Sequence, residues 1–299
     1  MFEIITYPNP MKLAHLILAH KDPELLERLV RTLQHENADI FIQLDKKANI
    51  GDFKYIENIG STRFISNRIN VGWCCYSTID ATLKGFEEIL SLKNDYSHIN
   101  LISGQDYPIK PVELIQQHFF ANHDTTFIHT ASIADNEWED GKARFTKYSF
   151  GDFKLPGKYQ LQAIANAILP LRKLPAGLKP YGRSQWLTIT PVCAQYVIDY
   201  LKNNPHVKRY FKTVWAVDEV FFQTILMNSP YKNTLVDYNL RYIELDAGKR
   251  PINYTMADAD KLATTAALFA RKFDGTVSTE VLDYIDSIIA TPVKVRYAR

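Results

Sequence analysis

From Lys12 onward, the chain alternates between short runs that are apolar almost throughout and longer segments whose apolar residues recur at helical spacing. KLAHLILAH reads as a buried strand, and DPELLERLVRTLQ, opened by Asp22 and Pro23, sets Leu25, Leu26, Leu29 and Leu33 on one helical face. DIFIQLD predicts a second strand, GDFKYIENI a short helix and RFIS a third strand. A helix carrying Ile79, Leu83, Phe86, Ile89 and Leu90 then leads into the strand YSHINLIS. Strands alternating with helices predict an α/β fold, a mainly parallel sheet with helices on its faces. Ligands of such sheets bind beyond the carboxyl ends of the strands. Later the pattern is less regular: TTFIHTA and SQWLTIT read as strands, and KYQLQAIANAILPLRKL, PVCAQYVIDYLKN and DEVFFQTILMN as helices. With no internal repeat and no Gly/Ser-rich linker, the second half is expected to build onto the first half's sheet as a single domain.

Composition narrows the function. A 46% hydrophobic content with only 12 Gly and 14 Pro in 299 residues supports a large core. The net charge of +2 excludes general electrostatic attraction to nucleic acid. Cys74, Cys75 and Cys193 make no disulfide framework, which predicts a reducing compartment. No apolar run is long enough to span a membrane, and MFEIITYPNP, residues 1–10, has neither a basic start nor a long apolar segment. These ten residues read as a leader outside the core, and the chain is expected to be cytoplasmic.

Glycine-rich nucleotide loops, the Gly-x-Ser-x-Gly elbow, HExxH and zinc-like cysteine spacing are all missing from the sequence. What remains is a set of carboxylates, cations and aromatics. In LISGQDYPIKP, polar groups gather where a strand ends, suited to a ligand loop or to an ordinary turn capped by Ser103 or Asp106. Asp218 and Glu219 open an apolar helix, where the dipole favours ionised carboxylates and a glutamate facing a cleft is a general base; an acidic first turn needs no function. In LFARKFD, Arg271 and Lys272 stand between Phe269 and Phe273, as a diphosphate clamp or as a solvated pair with its stems over aromatics.

Seven stretches in order, HLILAHKDPELLERLV, FIQLDKK, RINVGWCCYSTIDATL, LISGQDYPIKP, GRSQWLTIT, WAVDEVFFQT and LFARKFD, resemble the core-2/I-branching glycosyltransferases, which include β-1,6-N-acetylglucosaminyltransferases and peptide O-xylosyltransferases. The resemblance covers about Lys12 to Asp274. It implies a GT-A-like fold over residues 11–299, with a nucleotide-binding half (11–120) and an acceptor and catalytic half (121–299). It further implies inverting transfer of N-acetylglucosamine or xylose from a UDP-sugar to a glycan hydroxyl, in surface polysaccharide synthesis, with no metal or other cofactor. Glu219 matches the family's catalytic base. Lys272 and Arg250 match the cations that neutralise departing UDP, with Arg271 assisting. Ala19, His20, Asp45 and Arg68 match nucleotide positions, and Ser103, Gly104, Gln105 and Asp106 the loop beneath the donor sugar. Trp186, with Trp215 and Asp218 beside the base, is expected to face the acceptor.

Two departures stand out: Trp73 is followed by Cys74 where the family often has Gly, and Val217 replaces a frequent Pro before the Asp-Glu pair. Asp258-Ala-Asp260 has the form of a metal-binding DxD but precedes a helical stretch, so capping accounts for it better. Between Asp152 and Asp199 there is no acidic residue, while Lys154, Lys158, Arg172, Lys173, Lys179 and Arg183 all fall there, beside the amphipathic LQAIANAILPLRKL. Residues 154–183 are therefore either a peripheral contact with an anionic membrane, bringing in a lipid-linked glycan acceptor, or a buried helix with a basic rim. The alternative to an enzyme is a non-catalytic glycan-binding or scaffold protein of a polysaccharide assembly.

Overall fold

The structure, a computed structural model, describes residues 11–175 and 177–290. The expected leader lies outside the described residues. In chain order the elements are β1 (Lys12–Ala19), α1 (Pro23–Thr32), β2 (Ala38–Leu44), β3 (Thr62–Phe64), α2 (Tyr76–Ser91), β4 (Tyr96–Ser103), β5 (Asp106–Pro108), α3 (Val112–Ala121), β6 (Thr126–Ser132), α4 (Lys142–Thr146), α5 (Lys158–Ile168) and β7 (Tyr181–Ile189). There follow α6 (Pro191–Asn203), α7 (Pro205–Phe211), α8 (Phe221–Met227), β8 (Leu235–Val236), β9 (Arg241–Ile243), α9 (Ala259–Thr264), β10 (Phe269–Arg271) and α10 (Thr279–Ile289).

Seven strands form one sheet in the order β3-β2-β1-β4-β7-β6-β8. The first four are parallel, β7 runs against both β4 and β6, and β8 is parallel to β6. The near-continuous apolar character of β1 follows from burial on both faces. Leu13 and Ile17 enter one core with α1, α10 and Phe269, whereas Ala14 and Leu16 enter the other with α2, α6 and α8. A smaller sheet, β5-β10-β9, packs at the carboxyl end of the large one. Because β5 belongs to the first of the expected halves and β10 to the second, the two halves share this sheet and make one domain.

Local structure departs from the expected pattern in three places. Residues 51–59 form two 3-10 segments, Ile50–Asp52 and Lys54–Asn58, instead of an α-helix. Helix α5 stops at Ile168, because Pro170 disfavours helical backbone at Leu169, six residues before the expected end at Leu174. Asp218 and Glu219 lie in a separate 3-10 turn, Val217–Glu219, entered through left-handed Ala216 (φ 48) and left through Val220 (φ −131), so they do not cap α8.

Candidate functional site

The strand order reverses between β1 and β4, and the loops leaving their carboxyl ends lie side by side. The Gly104 amide donates to the Leu18 carbonyl (2.9 Å) and the Asp45 amide to the Ala19 carbonyl (2.8 Å). A Cβ on Gly104 would stand 3.5 Å from that of Ala19, so a side chain there would fill the crevice. His20 is exposed beside Ala19. Buried Asp45 accepts from the Lys47 amide (2.9 Å), and its other oxygen lies 3.4 Å from the Lys47 ammonium. Arg68 donates to the carbonyls of Leu44 (3.1 Å), Asp45 (2.7 Å) and Ala48 (2.5 Å), pinning the loop after β2 rather than offering a free guanidinium.

The SGQDYP and ARKFD stretches meet as β5 and β10, with Asp106 opposite Arg271. Asp106 is fully buried; it accepts from the Ser103 amide (2.9 Å) and hydroxyl (3.1 Å), and Arg271 donates to it at 2.7 Å. Its carboxylate thus shapes the loop and positions Arg271, leaving no free oxygen for a sugar hydroxyl. Gln105 exchanges two bonds with Phe273, accepting from its amide (2.9 Å) and donating to its carbonyl (3.2 Å). Arg271 stacks on Trp186, 4.5 Å from the ring centroid, and Trp186 is only 8% exposed. That ring is a platform for the cation, and its covered face is closed to an acceptor. The Lys272 ammonium, in contrast, has no ion pair or hydrogen bond among the described residues, although its backbone is fixed between Ile252 and Tyr254. One more tie closes this end: the Lys21 ammonium meets Asp274 at 3.0 Å, and Thr276 and Lys21 together hold the Asp274 carboxyl down to about 2.

The Arg250 side chain is 82% exposed in a turn after β9 and lies 3.7 Å from Asp246; two residues on, the Ile252 carbonyl accepts from the Lys272 amide (3.2 Å). The same turn is tied to the segment before α4 through Lys249, whose ammonium meets Asp140 at 2.6 Å.

Glu219 is paired with Arg144 of α4, whose guanidinium lies over Trp138 (4.5 Å) and Trp215 (5.2 Å). The exposed aromatic surface beside Glu219 therefore belongs to Trp215. Gly182 of β7 allows this turn to approach the sheet, since a Cβ there would stand 2.8 Å from the Glu219 carbonyl. Asp140, Arg144, Lys147, Tyr148, Gln162, Asn166 and Trp215 surround a cavity of about 330 Å³. Asp218 faces inward, with Oδ1 buried and lacking a hydrogen bond. Burial, with the Glu219 charge beside it, raises its pKa from 3.8 to about 7. Folded Asp218 thus holds its proton where the unfolded chain has lost it, and stability from this site falls as pH rises from about 4 to 7. Asp218→Asn should therefore stabilise the protein by on the order of 1–2 kcal/mol near pH 8 and hardly at all near pH 4, read as the pH dependence of urea midpoints.

Two arginines escaped the sequence pattern. Arg144 sits in a five-residue helix with no periodicity to mark it. Arg241 is fully enclosed, with burial lowering its pKa to about 10. It donates to Asn100 Oδ1, to the Leu101 carbonyl (2.9 Å), to Thr188 Oγ1 (3.1 Å) and to the Asn239 carbonyl, tying β9 to β4 and β7 under the Arg271 platform.

The Core-2/I-Branching enzyme family model matches residues 13–264. The chain belongs to the core-2/I-branching family. Its relatives include xylosyltransferase 1 of Rattus norvegicus, 24% identical over 94% of this chain and 36% of its own length. Xylosyltransferase 2 of Canis lupus familiaris is 26% identical over 93% and 33%, and xylosyltransferase 2 of Mus musculus is 26% identical over 93% and 33%. The chain spans about a third of the length of these curated relatives.

The mixed seven-stranded sheet with helices on both faces is the GT-A-like architecture expected of this glycosyltransferase family. Cys74, which stands where the family often has glycine, adopts the left-handed φ of 57 that glycine takes without strain. Its carbonyl accepts from the Ala216 amide (3.0 Å), fastening the Trp73 loop to the turn that carries Glu219. Asp258 closes a capping box with Thr255 and lies 3.9 Å from Lys261, so its carboxylate is engaged at a helix start.

Proposed function

We propose that this chain transfers N-acetylglucosamine or xylose from a UDP-sugar to a glycan hydroxyl, with inversion and without a metal ion. Glu219 takes the proton of the acceptor hydroxyl. The oxygen attacks the anomeric carbon, and the bond from that carbon to the UDP oxygen breaks with its electron pair. Lys272, Arg271 and Arg250 offset the charge that develops on the diphosphate, the role a divalent ion plays in other sugar transferases. Ala19, His20 and Asp45 flank the nucleotide, Ser103, Gly104 and Gln105 lie under the donor sugar, and Trp215 stacks against the acceptor. Arg68 and Asp106 act one step back, holding the loops that carry these contacts.

The observation that carries this reading is Lys272, whose ammonium has no counter-ion among the described residues and which follows Arg271, the cation bonded to Ser103 and Asp106 at the end of β4. A buried or half-buried cation without a counter-ion is suited to an anionic ligand. Calorimetric titration with UDP, UDP-N-acetylglucosamine and UDP-xylose, each with EDTA, tests it. Binding should persist under EDTA, and Lys272→Ala should weaken it about tenfold, on the order of 1.4 kcal/mol. Binding that appears only after a divalent ion is restored would transfer the role to Asp258 and Asp260. Glycan binding without nucleotide affinity would favour the scaffold alternative.

A further inference from the structure

Helix α5 is turned the unusual way round. Two of its polar residues bond back to the protein: Asn166 Oδ1 accepts from the Tyr148 amide (2.7 Å), Asn166 Nδ2 donates to the Tyr148 carbonyl (2.9 Å), and Gln162 accepts from the Phe150 amide (2.9 Å). Its apolar stripe, Leu161, Ile164 and Ile168 at i, i+3 and i+7, faces solvent, with Ile168 73% exposed. Leu171, 70% exposed, follows the helix in the chain, and Phe153 and Leu155, both exposed, precede it. Large exposed apolar side chains concentrated in one segment of a protein exterior mark a contact site.

The surrounding charge selects the partner. No Asp or Glu occurs from Phe153 to Ile198. Lys154 and Lys173 flank the stripe, both exposed and neither in an ion pair among the described residues. The neighbouring loop, joined to this region by the Ser77 hydroxyl on Asp152 (2.6 Å), presents Trp73 at 85% exposure. A helix with an outward apolar stripe, free lysines at its edges and an exposed tryptophan beside it matches the interface of an anionic bilayer, where apolar side chains enter the acyl boundary and lysines meet phosphate headgroups. Among the described residues, no helix is long and apolar enough to cross a membrane.

We propose that α5 and its flanking loops seat this protein on an anionic phospholipid surface, with the helix lying in the interfacial plane. The inner face of the same helix, through Gln162 and Asn166, lines the cavity that Arg144 and Trp215 also border. An acceptor carried by a lipid in that bilayer would thus reach the Glu219 side of the site from the membrane. This last clause rests on the transferase reading, whereas the docking itself does not.

The test is co-sedimentation of the full chain with phosphatidylcholine vesicles containing about 30% phosphatidylglycerol, at low and high salt, against vesicles of phosphatidylcholine alone. Binding should need the anionic lipid and fall with salt. Ile164→Asp with Ile168→Asp should lower the partition coefficient at least tenfold while leaving the thermal melt and nucleotide binding unchanged. Lys154→Glu with Lys173→Glu should do the same through charge alone. No sedimentation with anionic vesicles overturns the proposal, as does sedimentation indifferent to both variant pairs. A dimer in analytical ultracentrifugation that the isoleucine pair dissolves would assign the patch to self-association instead. Because nucleotide calorimetry is separate from vesicle binding, failure here leaves the transferase reading standing.

Discussion

Glu219→Gln should reduce turnover about a thousandfold, within the 10²- to 10⁴-fold range of positioned general bases, with UDP affinity within about twofold of the parent. The readout is UDP release, in the presence of glycan acceptors, from whichever donor binds in calorimetry. The substitution suits the purpose because the glutamine amide oxygen still accepts from Arg144, so the contacts of that cation with Trp138 and Trp215 survive. What disappears is the capacity to accept a proton. Loss of an interaction used only in the transition state lowers kcat and kcat/KM together and spares ground-state binding. Turnover within about fivefold of the parent would sink Glu219 as the base and direct attention to its buried neighbour Asp218.

Arg241→Met is expected to cause the largest loss of stability, roughly 3 kcal/mol, measured as a lower guanidinium midpoint at unchanged slope. Two effects oppose each other. Removing a fully buried cation relieves a desolvation cost, which is the physical reason its pKa falls to about 10. Against this, the Leu101 and Asn239 carbonyls lose their arginine donor inside the core, and each buried acceptor left unsatisfied costs about 1–3 kcal/mol. Asp106 also loses a favourable charge nearby. Orphaned acceptors outweigh the relief because methionine fills part of the volume but donates nothing. Nucleotide affinity should fall as well, since β9 pairs with β10, the strand ending at Arg271 and Lys272. An unchanged midpoint would show that Arg241 is a tenant of the core rather than a tie between the two sheets.

The elements from β1 to β4, apart from the 51–59 segment, were legible because each carries a periodicity of its own. A strand buried on both faces is apolar throughout, and a helix on a sheet repeats its apolar residues at helical spacing. The ordered motifs likewise marked the family, and nearly all the stretches that resemble it converge at one end of the sheet. Side-chain roles were another matter. Asp106 reads equally well as a sugar ligand or a loop anchor until Arg271, 165 residues away, is seen on its carboxylate. Trp186 reads as a stacking surface until the same guanidinium covers it. Arg144 and Arg241 left no local trace, since their partners are brought by folding from distant strands and turns.

Sequence by itself determined the alternating α/β order, the family and the residue types available for chemistry, because local spacing and motif order record them directly. Only the tertiary structure decided which charges are paired: Arg271 meets Asp106, and Lys272 has no counter-ion among the described residues. It also decided that α5 turns its apolar stripe outward, since amphipathic spacing specifies two faces but not which of them the rest of the chain covers.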